Sequence, residues 1–154
     1  MAKRYWLMKS EEDVYSIRDL EEDGTTFWEG VRNYEARNIM RDDMKPGDEV
    51  LFYHSNGNPP GVAGLARVVK EGYPDHFAFV QDSDYYDPKS NPQDPRWYMV
   101  DVEFVEAFDE IVSLGEIKER EDLADMVLVN RARLSVQPVT PEEFRTVRKM
   151  GRKK

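Results

Sequence analysis

Hydrophobic residues along this chain fall into short runs whose spacing predicts strands. Residues 5–8 form an apolar run of strand length, and segments 49–54 and 62–70 flank a loop rich in glycine and proline, which predicts an antiparallel pair. From residue 98 to residue 104, apolar side chains alternate with a partly polar set. That period of two is typical of a strand with one buried face.

Capping residues mark where helices should begin. Ser16, Ser113 and Thr140 each stand three positions before an acid, which is the spacing of a capping box. Asn33 is a favoured cap for a further helix to about residue 40. Segment 45–48, Lys-Pro-Gly-Asp, places proline and glycine where a type II turn needs them.

The remaining segments are polar. Residues 82–96 predict a long ordered loop, and residues 130–138 lead to the last helix, with a short strand expected at 134–136. Strands and short helices follow one another without regular alternation. The fold class predicted is therefore α+β, built on a curved sheet or barrel.

Length and composition favour one soluble domain over residues 1–154. The chain has no cysteine, and its start lacks the apolar run of a secretory signal. The longest uncharged run, residues 50–66, contains prolines and glycines and predicts strand, loop and strand instead of a membrane span. We expect a cytoplasmic protein, in the bacterial cytosol or, for a eukaryote, in the nucleus.

Charge is distributed unevenly. Residues 145–154 hold six basic and no acidic side chains, which leaves 16 basic against 31 acidic groups in the rest of the chain. We interpret the basic end as a helix terminus that complements the helix dipole. Because the acidic body repels a phosphate backbone, nucleic-acid binding would need a local basic patch, a short ligand or a single extruded nucleotide.

Catalytic and metal-binding signatures are missing from the sequence. With two histidines and no cysteine, the chain shows no zinc or calcium ligand spacing and no phosphate-binding glycine loop. His54 and Ser55 are neighbours on a predicted strand, so their side chains point to opposite faces. We expect no enzymatic activity, no cofactor and no metal.

Four polar segments next to aromatic residues are candidates for binding: 9–11, 28–38, 52–56 and 131–138. Segment 28–38 alone contains two arginines, two asparagines, a tyrosine and a tryptophan. Guanidinium forks, amides and rings recognise bases or phosphates. Each residue also has a simpler explanation, because large aromatics are usually core residues, asparagine caps helices and serine forms turns.

The chain resembles the EVE domain in the order and spacing of four segments, residues 5–11, 28–38, 50–56 and 133–139. Residues 70–75 and 97–102 support the resemblance. Glu12 stands where family members often have proline. The resemblance implies a PUA-like fold, a strongly curved β-barrel of about five to seven strands with flanking short helices. It also implies a non-catalytic domain, related to YTH-type readers, that binds modified bases, above all modified cytosine in DNA.

Under that resemblance we expect one pocket where the four segments converge. Trp97, with Trp28 or Tyr34, would supply its aromatic wall. The residues expected to read the base edge are Asn33, Asn38, Ser55 and Asn56. The cations expected to hold phosphate or shape the pocket are Lys9, Arg32, Arg37 and Arg133. The hydroxyl and imidazole groups expected to provide adjustable hydrogen bonds to the ligand are Ser10, His54 and Ser135. Leu134, between Arg133 and Ser135, is also expected to bind the ligand.

Two other functions use the same residues. One is a sensor that binds a free nucleoside or an anionic metabolite. The other is an enzyme on modified nucleotides with His54 as general base. We rank a reader first and expect its partner to be nucleic acid with a modified base, DNA before RNA, or a small nucleotide-like ligand, bound by a monomer.

Overall fold

A mixed six-stranded sheet forms the centre of the fold. The computed structural model of the protein describes residues 3–28, 31–93, 95–131 and 133–153, so residues 29–30, 94 and 132 of the predicted segments lie outside the described residues. The strands are β1 (Tyr5–Ser10), β2 (Thr25–Phe27), β3 (Glu49–His54), β4 (Gly61–Pro74), β5 (Tyr98–Ser113) and β6 (Val136–Val139). Their order is β2-β5-β4-β3-β1-β6. Only the β1–β3 pair is parallel among the described strands.

Short helices connect and flank these strands. They are α1 (Ile17–Asp23), α2 (Tyr34–Asn38), α3 (Leu114–Lys118), α4 (Val127–Asn130) and α5 (Pro141–Arg152). The three predicted capping boxes are confirmed at Ser16, Ser113 and Thr140. Asn33 caps α2 as predicted, but the α-helix ends at Asn38 and continues as a π-helical turn, Ile39–Asp43.

The sheet confirms the α+β class, while its strands differ in length from the predicted ones. β4 and β5 run for 14 and 16 residues, well past the predicted ends at residues 70 and 104. Irregular register between them lets one long pair bend. In the order of the described strands, β2 and β6 are the two edges and are not paired with each other. Closure into a barrel stays a prediction.

Side chains of alternate residues enter two hydrophobic clusters, one on each face of the sheet. Trp6, Met8 and Phe52 belong to the first cluster, which also contains residues of α1 and of the π-helical turn. Leu7 and Leu51 belong to the second, which packs against α5. Each fully buried side chain of this size contributes roughly 1.5–3 kcal/mol. The sheet is therefore covered on both faces.

The Asp48 carboxylate joins the start of β1 to the turn that precedes β3. It accepts hydrogen bonds from the Trp6 indole N–H at 2.9 Å, the Lys45 backbone N–H at 3.0 Å and the Arg4 backbone N–H at 3.1 Å. Asp48 is only 4% exposed. Gly47, at φ 93°, completes the predicted turn, because only glycine adopts this backbone conformation without strain.

His54, at the end of β3, fastens the start of α1. Its Nε2 accepts a hydrogen bond from the Ile17 backbone N–H at 3.1 Å, so the imidazole is neutral there. The side chain is buried, and Nδ1 lies 3.8 Å from a carboxylate oxygen of Glu12. Burial lowers the pKa of His54 from its ordinary 6.5, and the charges of Glu12 and Asp19 oppose that shift only in part.

Replacement of Asp48 by alanine is expected to lower the free energy of unfolding by about 3 kcal/mol, because three donors lose a charged acceptor. Urea denaturation measures the change. Asp43→Ala is the matched control, since Asp43 is exposed and its ion pair with Arg4 is as long as 4.0 Å. Equal losses in the two variants would contradict the assigned role of Asp48.

Acid should destabilise the fold through His54. Because the folded-state pKa lies below the unfolded one, the stabilisation is complete above about pH 6.5 and is lost as pH falls through the folded-state value. Thermal melting should be measured from about pH 8 to about pH 5, the range in which histidine titrates. The melting temperature should fall less in His54→Gln than in the wild type. His76→Gln is the control, because His76 is exposed. An equal fall in melting temperature for His54→Gln and wild type would refute this role of His54.

Candidate functional site

A cavity of about 920 Å³ opens between the end of β1, the turn before α1, the last residue of α1 and the edge strand β2. Its volume falls in the range of ligand pockets. Of the fifteen residues predicted to bind ligand, five line it: Lys9, Ser10, Trp28, Arg32 and Ser135. They come from three of the four predicted segments, so folding does bring distant parts of the chain together at one site.

Backbone pairing explains why these segments meet. The Lys9 backbone N–H donates to the Ser135 carbonyl at 2.9 Å, which joins the end of β1 to the segment before β6. The Ser10 hydroxyl donates to the Tyr15 carbonyl at 2.7 Å and holds the turn that leads to α1. The Lys9 ammonium is half-buried and lies 5.5 Å from the centre of the Tyr53 ring. Burial lowers the pKa of Lys9 below the ordinary lysine value of 10.5.

Trp28 is one of the aromatic residues that line this cavity, with Tyr15, Phe27 and Tyr85. It is 8% exposed, and its ring meets Phe52 edge-on with centroids 5.4 Å apart. Its backbone N–H donates to the Val100 carbonyl at 2.8 Å, so the main chain stays attached to β5 beyond the end of β2. Phe27 and Val31 add apolar surface on either side of it.

Trp97 lies in a column of three aromatic rings and two guanidinium groups. We call this column the cation–π stack; its members are Arg37, Tyr34, Trp97, Arg32 and Tyr85. The Tyr34 and Trp97 rings stack with centroids 5.0 Å apart, and the Arg32 guanidinium lies 5.2 Å from the Trp97 ring. Trp97 is buried, and its indole N–H donates to Asp87 at 2.6 Å. Only Arg32 and Tyr85 of the stack line the cavity.

Arg32 is fixed by contacts within the protein. Its guanidinium donates to Asp75 at 3.0 Å, to the Tyr85 carbonyl at 2.6 Å and to the Val31 carbonyl at 3.1 Å. Arg37 donates to Asn38 and to the Arg96 carbonyl. These two arginines hold the stack together, and their contact with a ligand stays a prediction.

Three predicted residues lie at a second, smaller cavity of about 270 Å³: Asn33, Arg133 and Leu134. Asn33 accepts a hydrogen bond from the Ala36 backbone N–H at 3.0 Å, as expected of a cap. Arg131 also lines this cavity and is bound to Glu35, with its shorter contact at 2.7 Å. The single predicted pocket is thus divided into two cavities.

The 52–56 segment supports the large cavity from behind. His54 is buried and lines neither cavity. Asn56 accepts from the Glu12 backbone N–H at 2.9 Å and donates to Asp13 at 3.0 Å, and the Ser55 backbone N–H donates to the Ser10 carbonyl at 2.9 Å. These contacts hold the turn before α1, and direct ligand binding by this segment stays a prediction.

Several lining residues were missed by sequence reasoning, among them Tyr15, Asp23 and Asp101. The Tyr15 hydroxyl donates to Asp23 at 2.7 Å, and burial, followed by this hydrogen bond, raises the pKa of Tyr15 to about 12. Nothing local in the sequence pairs these two residues across α1. The period-two alternation of β5, however, did place Asp101 on the polar face, and that signal could have identified it.

Charges at the large cavity are mixed. Among the described lining residues, Lys9 and Arg32 are the cations, and Glu11, Asp23 and Asp101 are the carboxylates. Such a lining offers donors, acceptors and a ring surface without a dominant positive charge, which suits a planar polar ligand better than a polyphosphate. Within the described residues no group of three metal-ligating side chains is placed to hold an ion. In the same part of the chain, no helix is long and apolar enough to cross a membrane.

Comparison with known proteins identifies the family. Thymocyte nuclear protein 1 of Homo sapiens is 46% identical over 159 residues, which cover 91% of this chain and 70% of that protein. The protein of the same name from Danio rerio is 45% identical over 161 residues, or 92% and 69% of the two chains.

Solved structures of other proteins are also similar to this chain. A hypothetical protein from Leishmania major is 48% identical with a TM-score of 0.95, covering 99% of this chain and 96% of the other. Human THYN1 protein in complex with 5-methylcytosine-containing DNA is 44% identical with a TM-score of 0.90, covering 99% of each chain. Residues 4–150 match the EVE domain itself. This chain belongs to the EVE domain family.

Proposed function

We propose that this protein is a non-enzymatic reader of a modified nucleic-acid base, with modified cytosine in DNA as its ligand. The large cavity carries the proposal. It has a ring surface at Trp28, a half-buried ammonium at Lys9 and carboxylates at its rim, all within a volume that suits a nucleoside-sized ligand.

A reader of this kind takes one base out of its strand. Extrusion from a duplex costs a few kcal/mol, and stacking on an aromatic side chain returns roughly 1–3 kcal/mol per base. The ring of Trp28 and the apolar surfaces of Phe27 and Val31 supply the stacking contribution. Hydrogen bonds to the base edge must supply the rest, and the polar lining offers them.

The comparisons support DNA as the partner. The human THYN1 protein was solved with 5-methylcytosine-containing DNA, and its chain superposes on this one with a TM-score of 0.90. A protein that reads DNA works where DNA is held, in the bacterial cytosol or the nucleus of a eukaryote.

The position of His54 argues against the enzyme hypothesis. A general base must reach the proton that it removes. His54 is buried, its Nε2 accepts from the Ile17 backbone N–H, and it lines neither cavity. Its contacts are those of a residue that holds α1 in place.

Replacement of Lys9 by methionine is expected to weaken binding of an oligonucleotide with one 5-methylcytosine by about tenfold, because a charged hydrogen bond in a desolvated site contributes about 1.5–3 kcal/mol. Fluorescence anisotropy at fixed salt measures this, with the unmodified oligonucleotide alongside. Lys45→Met is the control, since Lys45 is exposed and lines neither cavity. Equal wild-type affinity for both oligonucleotides would refute the reader. Thermal stabilisation by free nucleosides, without oligonucleotide binding, would indicate a small-molecule sensor.

Binding should depend only weakly on salt. Among the described residues that line the cavity, carboxylates outnumber cations, and Arg32 is paired with Asp75. The plot of log K against log salt concentration should therefore have a slope no steeper than about −3, since each neutralised phosphate contributes roughly −0.9. Titrations between about 50 and about 200 mM salt test this. A slope of about −8 would instead indicate a long contact with the duplex backbone.

A further inference from the structure

Within the proposed function, on which this inference rests, we propose that Asp101 makes the site selective for bases with an exocyclic amine. Its carboxylate accepts a hydrogen bond from that amine, so that cytosine-type bases enter and keto bases such as thymine are rejected.

Asp101 belongs to the part of the cavity lining that comes from the central sheet. It stands within the long strand β5, opposite Phe27 of β2 and Lys70 of β4 in the register of the sheet. Its neighbours Val100 and Val102 are buried in the core, so the alternation of the strand directs Asp101 to the other face. The side chain is half-buried and lines the cavity.

One hydrogen bond fixes the orientation of this carboxylate. The Tyr73 hydroxyl donates to Oδ1 of Asp101 at 2.5 Å. Across the described part of the chain, no other side-chain hydrogen bond or ion pair reaches Asp101, so Oδ2 is available to a ligand. A carboxylate that is held at one oxygen and open at the other is a preorganised acceptor.

The chemistry of the two pyrimidines makes this acceptor a selector. An ionised carboxylate only accepts hydrogen bonds. Cytosine presents an N4 amine, a donor that aspartate and glutamate bind in DNA recognition, whereas thymine presents the acceptor O4 at the same position. Two acceptors facing each other in a partly desolvated site leave both unsatisfied. A site that depends on a substrate donor rejects the analogue that lacks it much more strongly than an apolar pocket rejects a missing methylene group.

The other two carboxylates of the cavity are placed differently. Glu11 lies in the exposed turn after β1. Asp23 is exposed at the end of α1, where the Tyr15 hydroxyl binds it. Neither is part of the central sheet. They are matched controls for the charge of Asp101, since each lines the same cavity.

The test compares single-stranded oligonucleotides of one sequence that carry either 5-methylcytosine or thymine at the same position. Both bases have the 5-methyl group, and single strands avoid differences in extrusion cost. We expect wild type to prefer 5-methylcytosine by about tenfold or more. Asp101→Asn, whose amide can donate to O4, should bring the two affinities within about threefold of each other. Asp23→Asn and Glu11→Gln should keep the wild-type ratio.

A change in the ligand makes the same test without altering the protein. A 5-methyl-2-pyrimidinone nucleotide carries hydrogen in place of the amine. Wild type should bind it about tenfold more weakly than 5-methylcytosine. Asp101→Ala, which leaves no acceptor for the amine, should bind the two about equally. Should Asp101→Asn fail to fold in a thermal melt, the wild-type comparison decides.

The outcomes separate this inference from the proposed function. If wild type binds 5-methylcytosine with no preference over thymine and the pyrimidinone, the role of Asp101 is overturned and the reader function stays intact. The same holds if a folded Asp101→Asn variant keeps the wild-type ratio of 5-methylcytosine affinity to thymine affinity. A loss of preference in Asp23→Asn or Glu11→Gln equal to that in Asp101→Asn also overturns it. Failure of wild type to bind any of the oligonucleotides overturns both.

Discussion

The parallel pairing of β1 with β3 is the constraint on which the large cavity depends. Because parallel strands run in one direction, the carboxyl ends of β1 and β3 lie together at one end of the sheet, and Ser10 lies beside His54. A shift of one residue would move every side chain of β1 to the opposite face and turn Lys9 away from the cavity. The Asp48 carboxylate, bound to the Trp6 indole, opposes such a shift at the other end of the pair.

Sequence reasoning succeeded where a structure is decided within a few residues. Ser16 and Thr140 cap helices because their partners lie three positions away, and Gly47 takes its place in a turn of four. It failed where distant partners decide: β5 continues past residue 104 because β4 pairs with it. The residues of the binding motifs could be identified from local sequence. Their division between two cavities depends on distant partners and was not predicted. The partners of Trp97 are a further case, because Asp87, Tyr34 and Arg32 come from other segments. Contact between Trp97 and a ligand stays a prediction.

The cation–π stack explains how an acidic protein uses arginines within a segment that the sequence predicts to bind ligand. A guanidinium group is more weakly hydrated than an ammonium group, so it can be placed between two aromatic rings at a lower desolvation cost. In that position it can also donate hydrogen bonds to backbone carbonyls. Arg32 does this between Trp97 and Tyr85, and its charge is largely compensated by Asp75. The result is a stiff wall with modest net charge, which suits a neutral base better than a phosphate chain.

An open sheet has two edges, and here both are short. β2 has three residues, and β6 has four, one of which, Pro138, has no backbone N–H. Long, flat edge strands invite a second molecule to add its own strand, and short strands and proline hinder that addition. The architecture therefore leaves the sheet unclosed among the described residues while offering little template for aggregation, so that copies of the protein can be crowded together without joining their sheets.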